Sequence, residues 1–154
     1  WRMSRYELYI IDDRFADYFY GREKMFFNLF QEYENARGRL KNILARQVEY
    51  ITKPIPALKI HKLLIQLLQT RSDFYIHNGD YYIENRTGLA KLTLEERKLI
   101  IESTGNMDCE LTFLEILRKS EFNFYAVEIE RNQYGWVRPF RIKKFVQKEN
   151  TIGH

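Results

Sequence analysis

Residues 74–86 read FYIHNGDYYIENR, and here the chain changes from helical to strand periodicity. β-Branched and aromatic residues lie on both sides of Asn78-Gly79. An Asn-Gly pair between such runs predicts a two-residue hairpin, because both residues accept positive φ and the resulting type I′ turn matches strand twist. Upstream of this stretch, apolar residues recur every three or four positions. From Phe74 onward the pattern is that of strands, so the chain joins a helical part to a sheet-forming part.

Toward the N-terminus, a helix begins near Pro56 and carries Leu58, Ile60, Leu63, Leu64, Ile65, Leu67 and Leu68. It is apolar nearly all round, which predicts that it is buried. Another helix runs from about Ala36 to Ile51, with Ala36, Leu40, Ile43, Leu44 and Ile51 on one side, and Pro54 and Pro56 end it. Before it, Phe15, Phe19, Phe26, Leu29, Phe30 and Tyr33 fall at steps of three, four or seven behind two capping candidates, Asp12 and Asp13. Gly21 interrupts that pattern. A glycine inside a helix costs about 1 kcal/mol relative to alanine, so a break near Gly21 is expected. Tyr6 to Ile11 reads as a short buried strand.

Toward the C-terminus, Leu89–Leu94 and Lys98–Glu102 read as strands joined by Glu95-Glu96-Arg97, although LTLEERKLIIES also fits a helix. Asn106–Ser120 reads as a helix and Phe122–Ile129 as a last strand, followed by a tail that starts NQYGWVRPF. The order βαααββββαβ predicts an α+β fold: one mixed or antiparallel sheet of about five strands with about four helices packed against it. A single domain over 4–148 is expected, with 1–3 and 149–154 as flanking residues.

Apolar residues are 45% of the 154 and charged residues 30%, a balance that supports a folded core. Lys and Arg number 25 against 21 acids, giving a formal charge of +4, and most cations alternate with acids. One cysteine, Cys109, excludes an intramolecular disulfide. No apolar run approaches the roughly 18 residues of a membrane span, and the first residues lack a signal-peptide pattern, so a cytoplasmic, membrane-free setting is expected.

Catalytic motifs are missing: no GxGxxG, GxxxxGK[ST] or GxSxG occurs. His61, His77 and His154 lack metal-ligand spacing, so neither a metal nor a cofactor is expected. Cys109 fits a small core residue on an amphipathic helix. Asp12, Asp13 and Asp17 are the densest carboxylates, and helix capping accounts for them with less than acid–base or Mg²⁺ chemistry. The expected protein is therefore not an enzyme. A rival function uses the C-terminal segment, where Arg138, Arg141, Lys143, Lys144 and Lys148 alternate with Trp136, Phe140 and Phe145. That mixture resembles single-stranded nucleic-acid binders. A solvated edge anchored by its aromatics explains it more simply, so direct nucleic-acid binding is the alternative rather than the expectation.

Two stretches suggest a protein interface. Gln47 lies in the apolar stripe of its helix one turn from Tyr50 and Ile51, and an amide is costly to bury unpaired. The cheaper arrangement leaves Gln47, Tyr50 and Ile51 as a surface patch of mixed chemistry. Phe15 and Phe19 form an i,i+4 aromatic pair: a straight helix places both in the core with Phe26 and Phe30, and a break at Gly21 frees them for an interface.

The same stretches carry a resemblance. RFADYFYGRE at 14–23 with FNLFQEYE after it, RQVEYITKPIP at 46–56, and YGWVRP with FV near the end resemble, in order and spacing, the sporulation inhibitor of replication family, SirA. The resemblance covers about Tyr6 to Val146 and is strongest over the first 60 residues and the YGW segment. It implies a non-catalytic protein made early in sporulation that binds the N-terminal domain of the initiator DnaA and restrains new rounds of chromosome replication. The family's FA…YF segment places contacts at Phe15 and Phe19, and its Q..YI segment at Gln47, Tyr50 and Ile51. Phe19 stands where the family has tyrosine, and is flanked here by Tyr18 and Tyr20.

Overall fold

The computed structural model describes residues 3–137, except for the side chain of Phe19. In chain order the elements are β1 (Met3–Ile11), α1 (Asp13–Phe19), α2 (Glu23–Asn35), α3 (Gly38–Ile51), β2 (Thr52–Lys53) and α4 (Ala57–Leu68). Then come β3 (Phe74–His77), β4 (Asp80–Asn85), β5 (Gly88–Leu94), β6 (Leu99–Gly105), α5 (Asp108–Arg118), β7 (Phe124–Glu128) and β8 (Gln133–Val137).

All the paired strands form one antiparallel sheet in the order β3-β4-β5-β6-β1-β7-β8, with β2 beside the end of β1. The hairpin forms as expected: Phe74 faces Ile83, His77 faces Asp80, and Asn78 and Gly79 take φ of 51° and 84°. The ambiguous LTLEERKLIIES resolves into β5 and β6, closed by a Glu95 N–H donated to the Lys98 carbonyl at 2.9 Å.

Alternation along β1 divides the core between the two sheet faces. Tyr6, Leu8 and Ile10 join Ile60 and Leu64 of α4 and Phe113 and Leu117 of α5 on one face. Tyr9 and Ile11 join Phe26 and Phe30 of α2 and Val48 and Ile51 of α3 on the other. The second face is rich in rings: Tyr9 stacks on Phe30 at 4.1 Å, and Phe26 meets Trp136 edge-on at 5.9 Å. Such pairs contribute roughly 0.5–1.5 kcal/mol each beyond their burial.

Four expectations need correcting. The described residues hold eight strands and five helices rather than about five and four. β2 is too short for a pattern to show. β8 was read as tail, because its strand character comes from pairing with β7, Trp136 against Tyr125. Helix α4 is not buried all round: Ile60, Leu64 and Leu68 face the sheet, while Leu58 is 65% exposed, since only one face of a helix can meet a sheet. On α3, Leu44, Val48 and Ile51 are the inward stripe, and Leu40 and Ile43 face solvent.

Candidate partner-binding surface

β1 runs directly into α1. Asp12 caps the helix, its Oδ1 accepting the Arg14 N–H at 3.0 Å. Helix α1 has only seven residues, and the break expected at Gly21 is present. Gly21 takes φ +87°, a conformation in which an L side chain is strained, and the chain turns there into α2. Glu23, buried at the start of α2, fixes this turn. Its Oε2 accepts the Gly21 N–H at 2.9 Å and the Trp136 indole N–H at 3.1 Å. The Tyr125 hydroxyl donates to its backbone carbonyl at 2.5 Å.

The far end of α3 is tied to the same place. Thr52 pairs with Ile11, and the Asp12 N–H donates to the Ile51 carbonyl at 2.8 Å. Arg97, in the β5–β6 turn, donates from Nη2 to the carbonyls of Glu49 and Thr52 at 3.2 and 2.8 Å, satisfying acceptors that a helix end leaves open. These ties bring the start of α1 against the end of α3. Phe15 and Tyr50 consequently meet, with ring centroids 5.1 Å apart and planes at 51°.

The five residues named from sequence fall into different environments. Tyr50 is 63% exposed, Gln47 is exposed and Phe15 is half-buried. Ile51, expected on the surface, is buried at 8% exposure, because it follows Leu44 by seven and Val48 by three and so joins the inward stripe. Gln47 sits at the edge of that stripe, where its amide stays in water. Phe19 closes α1, but its side chain lies outside the described residues.

Between α2 and α3 runs a groove of about 710 Å³, lined among others by Met25, Leu29, Glu32, Gln47, Tyr50 and Ile51. Ile51 thus contributes its remaining surface to the floor. Sequence reading missed Met25, which is 53% exposed; Leu29, read as part of the core stripe, is partly buried against the second core and also lines the groove. It also missed Arg14, whose guanidinium stands 5.1 Å from the Phe15 centroid and 5.6 Å from that of Tyr50. The i,i+4 spacing of Met25 and Leu29 was the available signal.

Other candidate groups serve the fold. Asp12 caps α1 and pairs with Arg14, and Asp13 lies 3.5 Å from Lys53. The Nδ1 of His61 shares a hydrogen bond with the Tyr81 hydroxyl at 2.7 Å. Cys109 is buried, and burial pushes its thiol pKa up, away from the reactive thiolate. The described residues contain no group of three His, Cys, Asp or Glu able to hold a metal, and no described helix is long and apolar enough to cross a membrane. Trp136 packs in the second core, and the basic positions 138–148 lie outside the described residues. A shallow groove flanked by an exposed tyrosine that rests on a half-buried phenylalanine suits docking of another protein.

Comparison with known proteins adds a family. The model of the family described as sporulation inhibitor of replication protein SirA matches residues 4–141. A Bacillus subtilis (strain 168) protein named sporulation inhibitor of replication protein SirA is 32% identical over 145 residues, covering 92% of this chain and 97% of that protein.

Proposed function

The chain belongs to the SirA family, and from that membership we propose that it is a non-catalytic inhibitor of chromosome replication during sporulation, acting by binding the N-terminal domain of the initiator DnaA. The observation that carries this reading is the Phe15–Tyr50 contact, which joins two segments far apart in sequence into one surface. Tyr50 and Phe15 are its anchors. Gln47 supplies an exposed hydrogen-bonding amide, and Ile51 supports the groove floor from the core. Phe19 is assigned to the site on the family resemblance alone. The cytoplasm, where the chromosome lies, is the location this function requires.

Calorimetry of the full chain against the isolated N-terminal domain of DnaA tests the reading. Tyr50→Ala should weaken binding by about 2 kcal/mol or more, roughly thirtyfold, as an interface hot spot does. The melting temperature should hold, because Tyr50 is 63% exposed. A wild-type chain that does not bind this domain refutes the proposal. A Tyr50→Ala protein that binds normally refutes the site.

A further inference from the structure

Arg14 is placed where neither the core nor the cap requires it. Its side chain is 64% exposed, yet it is held on two sides. Nε and Nη2 donate to the two Asp12 carboxylate oxygens, each at 3.2 Å, and the guanidinium lies against the Phe15 and Tyr50 rings. An arginine fixed this way has little side-chain freedom left to lose on binding. A guanidinium carries five N–H donors, of which Asp12 takes two; the remaining three meet no partner among the described residues.

The surrounding charges favour an acid of limited size. Arg46, one turn before Tyr50, lines the groove beside these rings. Asp12 is engaged by Arg14, and Asp13 faces Lys53. Glu32 lies across the groove, and Glu49 is exposed on α3. These acids disfavour a run of phosphates, and a single carboxylate is the simpler match to the open Arg14 donors. We propose that Arg14 is the charge-reading residue of this surface, taking a carboxylate on the partner protein next to an apolar side chain that docks on Phe15 and Tyr50. This rests on the functional reading above and adds the chemistry that the partner must present.

The test is calorimetry of the full chain with the isolated N-terminal domain of DnaA at low, physiological and high salt, using wild type, Arg14→Ala, Arg14→Lys and Tyr50→Ala. Loss of a charge-assisted contact should weaken Arg14→Ala by about tenfold at physiological salt and flatten its salt dependence. Arg14→Lys should keep the salt dependence at lower affinity, since an ammonium lacks the planar fork. If Tyr50→Ala loses binding while Arg14→Ala keeps both affinity and salt dependence, the carboxylate is disproved and the site stands. If Arg14→Ala weakens binding with an unchanged salt slope, Arg14 only covers the rings, and the proposal is again overturned. Normal binding by Tyr50→Ala overturns the site itself.

Discussion

Replacing Glu23 by alanine tests how the surface is held. Glu23 is 5% exposed, and its Oε2 accepts both the Gly21 N–H and the Trp136 indole N–H. Without it, two donors lose their acceptor, and each costs about 1–3 kcal/mol where water cannot replace the carboxylate. Gly21 lies at an exposed turn, so water recovers part of its share, and the net loss should be about 2–4 kcal/mol. At roughly 2–4 °C per kcal/mol for a chain of this size, melting should fall by about 5–15 °C. Glu23→Gln retains a carbonyl acceptor and loses only charge assistance, so it should cost about 1 kcal/mol. Binding should follow: with the turn loosened, α1 no longer holds Phe15 against Tyr50, and Glu23→Ala should bind the partner domain less tightly than Glu23→Gln. Urea unfolding gives the first quantity and calorimetry the second. A Glu23→Ala protein within about 0.5 kcal/mol of wild-type stability would refute the reasoning.

Acid stability should depend on Asp73. Hydrogen bonds from Arg71, both at 2.9 Å, and from Asn85 at 3.0 Å hold its carboxyl well below the usual carboxylate range. A depressed pKa contributes stability above the unfolded value of about 3.9 and loses it as pH falls toward the folded value. Asp73→Asn should therefore be less stable at neutral pH and show a flatter decline below about pH 4 in acid unfolding; an acid limb identical to wild type would remove this role. Ile51→Ala should cost about 2–4 kcal/mol as a core truncation, visible as a lower melting temperature. Wild-type melting of Ile51→Ala would return Ile51 to the surface.

Local signals were legible where local chemistry decides the structure. Asn78-Gly79 needs positive φ at both positions, and Gly21 weakens a helix locally and accepts the positive φ of a turn, so both were readable before any contact was known. Pairings between distant segments were not. β8 becomes a strand because β7 offers it an edge; Tyr134, Trp136 and Val137 favour a strand, but five residues interrupted by Gly135 are too short to reveal their partner. A helical pattern also cannot say which of two neighbouring stripes will meet the sheet. On α3 the inward stripe is Leu44, Val48 and Ile51, which leaves Leu40 and Ile43 outside and moves Ile51 inside. The convergence of Phe15 and Tyr50 was legible only as two suspicious segments, since their contact depends on β1 pairing with β2.

That dependence bears on which parts of the family motif belong to the proposed partner surface and which support it. RFADYFYGRE and YGWVRP lie at opposite ends of the matched region, yet Glu23 of one and Trp136 of the other share a hydrogen bond inside the molecule. The same segment that ends in the buried Glu23 begins with the exposed Arg14 and the half-buried Phe15. Likewise RQVEYITKPIP presents Gln47 and Tyr50 outward while burying Val48, Ile51, Thr52 and Ile55. Each motif therefore mixes residues that build the surface with residues that form it. On the proposed function, a substitution in YGW should weaken partner binding without lying on the proposed surface, by releasing Glu23, then the Gly21 turn, then α1. The two kinds separate by experiment: loss of binding at a supporting position comes with lowered stability, and loss at Tyr50 or Arg14 does not.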